Sequence, residues 1–334
     1  MCKQSRGVPR RTLKEMPPLR FPHIACAALL LGSAHATDLD FGVSLASVSA
    51  LQLVPQVGLH DLSLAGGRLD ASVSTLGVQG GYERSLTLPP LGAVTVGAEA
   101  GVPWGGGLRL GARVAGSAGP VALNVGGSVF TASALALDPL AGWRPEPTDL
   151  RPTGWAADLG ARYRVSRALI AVAGGELGAQ PNASLGIEQR RDLTRATQGV
   201  PGEAGEGETE TESTGTLTLR AGVRGGQNVL GLTGGLSYAS EAGPGASLDL
   251  LVGRGFGVQA ALTLPEILGF SSSLYAAYEP WRAAAAPLRY GLKASRELGR
   301  GTLVLAARGG QTQAGVSGFG AEARYRFTLP GREP

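Results

Sequence analysis

Residues 155–165 read Trp-Ala-Ala-Asp-Leu-Gly-Ala-Arg-Tyr-Arg-Val, and their polarity alternates with a period of two. Trp155 and Leu159 fall on one side of the pattern, whereas Asp158 and Arg162 fall on the other. Successive side chains of a β-strand point to opposite faces, so the stretch predicts a strand with one apolar and one polar face. The same alternation is clearest again in residues 108–114, 216–224, 288–294 and 319–327.

Turn-forming residues separate the alternating runs. Most prolines lie between the runs, as expected because proline has no N–H to donate to a sheet. Residues 114–137 carry no charge and resemble a transmembrane helix in composition, but Gly116–Pro120 predicts a turn that divides them into a hairpin. We count about 14–18 strands between residues 37 and 328, which predicts an all-β fold.

The N-terminal segment has the features of a signal peptide. Residues 24–31 form a short apolar core, and Ala34 and Ala36 give the small-x-small pattern of a cleavage site. The apolar run is too short for a membrane anchor, which is the alternative. We therefore predict a signal peptide over residues 1–36, with translation starting at Met1 or Met16.

Charge and composition exclude several classes of function. Residues 1–36 hold six bases and one acid, so the rest of the chain, with 24 bases and 25 acids, gives no electrostatic case for nucleic-acid binding. Both cysteines lie in the leader, and only one histidine follows it. This composition predicts no metal site, no cofactor and no catalytic constellation. The glycine cluster at Gly253–Gly257 predicts a turn or a strand bend, since no βαβ unit surrounds it.

The apolar faces decide between two all-β architectures. A soluble sandwich needs large interlocking side chains in its core, whereas Ala, Val, Leu and Gly suffice on a face that contacts lipid. The faces here are mostly small or aliphatic, and aromatic residues, Trp281 among them, lie near strand ends, where a membrane barrel meets the two interfaces. Trp155 and Tyr163 are eight residues apart, about 20 Å across a bilayer for a strand tilted by ~40°. We therefore expect a single antiparallel up-and-down transmembrane β-barrel, with a secreted sandwich or surface-layer protein as the alternative.

The last strand, Phe319-Gly-Ala-Glu-Ala-Arg-Tyr-Arg-Phe327, resembles the terminal strand of porin-type bacterial outer-membrane β-barrels. That resemblance implies an outer-membrane location, contact with outer-membrane lipid, and recognition of Tyr325 and Phe327 by the barrel-insertion machinery. It also leaves open assembly into a homo-oligomer. The chain departs from the family pattern by a tail, residues 329–334, after the terminal aromatic strand.

Basic residues follow the polar face of several strands, and we expect them to line the lumen. They are Arg109, Arg113, Arg162, Arg164, Arg220, Arg224, Arg289, Lys293, Arg308, Arg324 and Arg326. Eight acids on the same face are Asp70, Glu83, Glu99, Asp158, Asp249, Glu279, Glu297 and Glu322. The surplus of about three positive charges predicts a mild preference for anions. The alternative is that acids and bases pair across strands and leave little net field.

Two stretches are expected to be long loops. Residues 132–153 are rich in proline, and residues 192–214 carry five glutamates among Gly, Thr and Ser. Three predicted strands separate them, which would place the loops at opposite ends of the barrel. We take the acidic run as a solvated loop, since it lacks the spacing of a calcium site.

Three functions fit this sequence-based picture. One is passive diffusion of small polar solutes or anions through an open barrel. A second is a structural role in the envelope with the lumen plugged by side chains, and a third, less favoured, is a barrel enzyme.

Overall fold

A computed structural model describes residues 38–47, 51–89, 92–197, 210–241, 243–282, 286–311 and 315–329. The predicted signal peptide, with Ala34 and Ala36, and all but the first residue of the predicted tail lie outside these ranges. The leader and its cleavage site therefore stay predictions.

The described chain consists almost entirely of β-strands, and its strands form one sheet. Their bounds are β1 Asp38–Ser47, β2 Leu51–Leu64, β3 Gly67–Ser74, β4 Gly77–Leu88, β5 Gly92–Pro103, β6 Arg109–Ala118, β7 Val121–Phe130, β8 Gly154–Arg164, β9 Leu169–Leu177, β10 Asn182–Thr197, β11 Glu210–Gly226, β12 Leu230–Ser240, β13 Gly245–Arg254, β14 Gly257–Ile267, β15 Phe270–Tyr278, β16 Leu288–Leu298, β17 Gly301–Gln311 and β18 Ser317–Thr328. Two short 3-10 helices, Ala134–Ala136 and Ala141–Trp143, lie between β7 and β8. Among the described residues, no helix is long and apolar enough to cross a bilayer.

The sheet closes on itself into a barrel. Each strand pairs antiparallel with the next strand along the chain, and the ring closes where β1 pairs with β18 over ten residue pairs, from Asp38↔Thr328 to Ser47↔Phe319. This arrangement confirms the predicted up-and-down barrel, at the upper limit of the expected strand number. The sandwich alternative is wrong, because a single closed ladder leaves no second sheet to pack against.

The outer face of the barrel is apolar. Large side chains at alternate positions along the strands are exposed there, including Leu110, Val125, Trp155, Leu159, Leu185, Leu232, Leu250, Val252, Tyr290 and Phe319. Register keeps them on one face around the ring, since Val125 pairs with Leu159 and Leu232 with Val252. The polar positions of each strand consequently face the interior.

Two-residue turns join many neighbouring strands. Ala65-Gly66 and Leu268-Gly269 both have positive φ at their two positions, the geometry whose twist suits a tight hairpin. The uncharged stretch 114–137 also contains a hairpin, with β6 and β7 joined at Gly119-Pro120. The hairpin interpretation is therefore confirmed for β6 and β7.

The predicted acidic loop is shorter than expected. Strand β10 continues to Thr197 and β11 begins at Glu210, so only residues 198–209, which lie outside the described part, remain between them. Threonines favour extended backbone and help to continue these strands: the Thr214 hydroxyl donates to the carbonyl oxygen of Leu193 at 3.0 Å. Composition suggested a loop, but pairing with a neighbouring strand outweighs the low strand propensity of Glu and Gly.

Candidate functional site

One long connection crosses the inside of the barrel. Residues 131–153, which we call the inner loop, leave β7 and return to β8. Along the way they contact β5 and also β15 to β18, and β16 is the strand diametrically opposite β7 in the ring of eighteen. A segment that contacts such distant parts of a closed wall lies within the lumen.

Apolar side chains dock the inner loop on the far wall. Leu140 and Trp143 are almost completely buried and form a cluster with Ala46 of β1. The indole of Trp143 rests over glycines of β17 and β18: a Cβ at Gly310 would lie 2.9 Å from the ring, and one at Gly318 would lie 2.7 Å from it. Glycine at these wall positions leaves the space that the tryptophan fills.

Polar contacts hold the same part of the loop. The Trp143 indole N–H donates to the carbonyl oxygen of Gln311 at 3.3 Å, and the Tyr275 hydroxyl donates to the carbonyl oxygen of Trp143. Arg289, only 1% exposed, donates to the carbonyl oxygen of Pro145 at 3.3 Å and pairs with Glu279. A buried pair of this kind is costly to break, because removing one partner leaves the other charge buried and unpaired.

The root of the inner loop is fixed beside β6. Arg109 donates to the carbonyl oxygen of Ala132 at 2.8 Å, and its guanidinium carbon lies 4.5 Å from the ring centre of Phe130. Arg151 lies 5.5 Å from the same ring. Its hydrogen bonds with Asp149 raise the pKa of that guanidinium above its ordinary value. Both ends of the crossing are therefore anchored.

Two cavities occupy different parts of the lumen. The β2–β7 cavity, of about 350 Å³, lies against the inner loop and is lined by polar groups that include Asp70, Glu99, Arg109, Asp138 and Arg144. The second cavity, of about 300 Å³, is lined by residues of strands β9 to β14 and of the connection after β15, and we call it the β9–β15 cavity. Its charged and aromatic lining residues are Glu188, Arg220, Arg224, Asp249, Glu279, Trp281 and Arg282.

The predicted basic residues all occupy the polar positions of their strands, on the inward side. Most of them contact a carboxylate: Arg113 pairs with Glu83, Arg162 with Glu188, Arg220 with Asp249, Arg289 with Glu279, and Arg308 and Arg324 with Glu322. Arg224 stacks on Trp281, whereas Arg164, Lys293 and Arg326 have no ion pair with any residue in the described ranges. Arg162 contacts Glu188 of β10 rather than Asp158 of its own strand.

The inward face carries acids beyond the eight expected, among them Asp40, Glu176 and Glu188. Asp40 lies between His60 and Arg324, at 3.3 Å and 3.8 Å. Glu176 pairs with Arg282, and Glu188 pairs with Arg162. Their place in the alternation of β1, β9 and β10 was the available signal, but those strands alternate weakly. Because Glu176 brings with it the uncounted base Arg282, these acids reduce the predicted surplus of about three positive charges but do not remove it.

Some aromatic residues expected at strand ends lie elsewhere. Trp155 and Tyr163 are about half exposed on the outer face of β8. Trp281, by contrast, turns inward and is buried against Val229 and Leu251. The inward position of Trp281 has a steric cause, because Gly255 and Gly257 leave room for the indole inside the barrel.

The proposed assembly signal lies at the closure of the barrel. Phe327 pairs in register with Leu39 of β1 and with Gly301 of β17, and Tyr325 pairs with Phe41. The Tyr325 hydroxyl donates to the carbonyl oxygen of Leu298 at 2.8 Å. Their recognition by assembly machinery stays a prediction.

Comparisons with known proteins give a likeness in architecture only. No family model matches the chain, and no curated protein does. Among solved structures, a triple mutant of Rhodopseudomonas blastica porin is 11% identical with a TM-score of 0.44, covering 88% of this chain and 98% of that chain. A chain described as "Asymmetric conductivity of engineered proteins" is 12% identical, with the same TM-score and coverage.

At these values the comparison adds nothing to the fold seen directly. Within the described ranges, no group of three or more His, Cys, Asp and Glu side chains could hold a metal ion. The fold is instead established by the pairing of its eighteen antiparallel strands in a closed ring that is apolar outside and charged inside. The described chain is a closed, antiparallel β-barrel of eighteen strands with one loop folded across its interior.

Proposed function

We propose that this barrel spans the outer membrane and acts as a passive channel for small polar solutes or ions. The observation that carries the proposal is the closed ring with exposed Leu, Val and aromatic side chains outside and charged side chains inside. A contiguous apolar surface of this extent is unfavourable in water. In lipid it is favourable, because a closed ring of paired strands leaves no strand edge with unpaired backbone N–H and C=O groups. An 11-residue strand such as β17 rises about 37 Å and covers roughly 28 Å when tilted by ~40°, close to the ~25 Å apolar band of such barrels.

The inner loop would set the size limit of the channel. It crosses the lumen close to the strand ends on its own side, where it contacts Ala46, Gly310 and Gly318, and the β2–β7 cavity of about 350 Å³ lies against it. The narrowing would restrict passage to solutes smaller than the space left beside the loop. In outer-membrane barrels short turns face the periplasm, so the end with the turns at Ala65-Gly66 and Gly119-Pro120 would face the periplasm, and the end where the inner loop departs would face the outside. The connection of residues 198–209, three strands after the inner loop, is the exception at the periplasmic end.

Weak ion selectivity follows from the paired charges. Carboxylates compensate most inward bases at contact distance, so little net field remains to attract ions. The mild anion preference expected from the sequence stays a prediction, and the expected ratio of anion to cation permeability is now closer to one.

The second candidate is a plugged structural barrel. The tight docking of Leu140 and Trp143 and the buried Arg289–Glu279 pair favour a lumen that is held shut. Conductance in a planar bilayer decides between the two. The channel predicts discrete current steps from protein that migrates faster on a gel before boiling than after, whereas folded protein that gives no steps would establish the plug.

A further inference from the structure

One inward arginine of the β9–β15 cavity has no charge partner. Arg224 lines this cavity, yet it makes no hydrogen bond or ion pair with any residue of the described chain, and its Nε is buried without an acceptor. The neighbouring Arg220 differs, because its Nη2 donates to Asp249 at 3.2 Å.

The carboxylates around the cavity are all engaged with other bases. Asp249 pairs with Arg220, as described above, and Glu188 pairs with Arg162. Glu176 pairs with Arg282, and Glu279 pairs with Arg289. The four carboxylates and their four partner bases balance, so Arg224 leaves the cavity and its immediate surroundings with an excess of about one positive charge.

A second group next to Arg224 also lacks an acceptor. The guanidinium carbon of Arg224 lies 5.0 Å from the ring centre of Trp281, and the indole Nε1 is buried with no hydrogen-bond partner among the described residues. Arg282 lies 5.9 Å from the same ring and adds positive potential. Both orphan groups are donors only, so they require the same kind of partner, an oxygen acceptor.

Apolar side chains complete the walls of the space. Leu251, which packs on Trp281, and Val172 of β9 line the same cavity. A solute bound there would meet donors on one side and apolar surface beside them. Buried donors without acceptors are unfavourable, so an oxyanion placed between the guanidinium and the indole edge would recover two hydrogen bonds.

We propose that Arg224 and Trp281 form a binding subsite for the carboxylate of a small apolar or aromatic acid. The excess of about one charge suits a monovalent carboxylate better than a divalent phosphate, and the planar guanidinium fork matches two carboxylate oxygens. The proposal deepens the proposed channel function, on which it rests for the entry of solute from water.

The test is ligand-observed NMR of benzoate with the folded, detergent-solubilised barrel, with benzyl alcohol as the matched neutral ligand. Arg224→Gln is compared with Arg164→Gln, which removes an inward charge of β8 outside the cavity. Only variants that retain the gel shift on boiling are compared. We expect wild type and Arg164→Gln to bind benzoate alike, and Arg224→Gln to bind about tenfold more weakly or worse. Trp281→Phe keeps the ring but lacks the N–H, so it should lose affinity several-fold.

Equal benzoate binding by wild type and Arg224→Gln would overturn the subsite, as would equal binding of benzyl alcohol. Tighter binding of inorganic phosphate than of benzoate would overturn the carboxylate assignment, and full affinity in Trp281→Phe would contradict the two-donor geometry. The binding assay needs no current. A barrel that binds benzoate through Arg224 but never conducts would refute the channel alone, and a conducting barrel that ignores benzoate would refute the subsite alone.

Discussion

Replacing Trp143 by alanine should release the inner loop and widen the channel. The side chain is 3% exposed, fills the space over Gly310 and Gly318, and donates a hydrogen bond to the carbonyl of Gln311. A buried Trp→Ala change costs about 3–5 kcal/mol. A loss of even ~3 kcal/mol in docking raises the ratio of released to docked loop on the order of 100-fold. Strand pairing is untouched, so the barrel itself should persist.

The size of the effect on current follows from the dimensions of the ring. Eighteen strands spaced about 4.8 Å apart and tilted ~40° give a backbone radius of roughly 18 Å. Inward side chains reduce the free diameter to roughly 22 Å, and a folded chain about 10 Å wide across it blocks around half of the area. Single-channel conductance should therefore rise about twofold, with added noise as the loop moves.

The assay is single-channel recording at fixed salt, with Trp155→Ala as the matched control. Trp155 is 53% exposed on the outer face, so its removal leaves the lumen unchanged. We expect wild-type conductance from the control. Wild-type conductance and noise from folded Trp143→Ala would refute the docking of the inner loop across the lumen.

Four further predictions concern assembly, loop seating, charge and processing. Phe327→Ala, at the closing strand pair, should lower the fraction of heat-modifiable barrel in membranes more than His60→Ala does, and equal yields would contradict an assembly role. Gly318→Leu should unseat the Trp143 ring and reproduce the conductance of Trp143→Ala, whereas a normal current would show that the wall does not seat that ring. Reversal potentials under a salt gradient should show near-equal ion permeability, with Glu83→Gln shifting it toward anions by freeing Arg113, and a strong cation preference would contradict the paired lumen. N-terminal sequencing of envelope material should begin at Thr37, and retention of residues 1–36 would refute the cleavage site.

Strand positions and facing could be predicted from the sequence because alternation is a local property. The faces of β8 and β18 follow directly from residues 155–165 and 319–327, and closure was expected from the apolar side chains alone. The path of the inner loop could not be predicted in this way. It depends on contacts of Trp143 with Gln311 and Gly318, more than 160 residues away along the chain, and nothing local in 132–153 distinguishes an inward fold from an exposed loop.

The pattern within a single strand also could not predict which carboxylate each inward arginine contacts. Alternation assigns Arg162 and Glu188 to inward faces. Their contact, however, reaches across β9, past Ile170 and Val172, and depends on the register of three strands. Trp281 was expected at a membrane interface because it follows a strand end. It lies inside the barrel instead, where Gly255 and Gly257 leave space for its indole ring. Both corrections concern long-range packing, which a pattern within one strand does not encode.

Closure of the ring between β1 and β18 is the central claim, and disulfide cross-linking tests it most directly. A chain beginning at Thr37 has no cysteine, and Val43 and Ala323 are direct partners across the closing pair. Antiparallel partners have Cα atoms about 4.5–5.5 Å apart, within the range that a disulfide spans. The Val43→Cys, Ala323→Cys chain should therefore form an intramolecular disulfide on oxidation in membranes, seen as altered mobility after boiling without reductant. Replacing the second site by Leu305→Cys, one strand further away on β17, should give no cross-link. Absence of the disulfide in the first pair, or its equal formation in the second, would contradict the closed barrel.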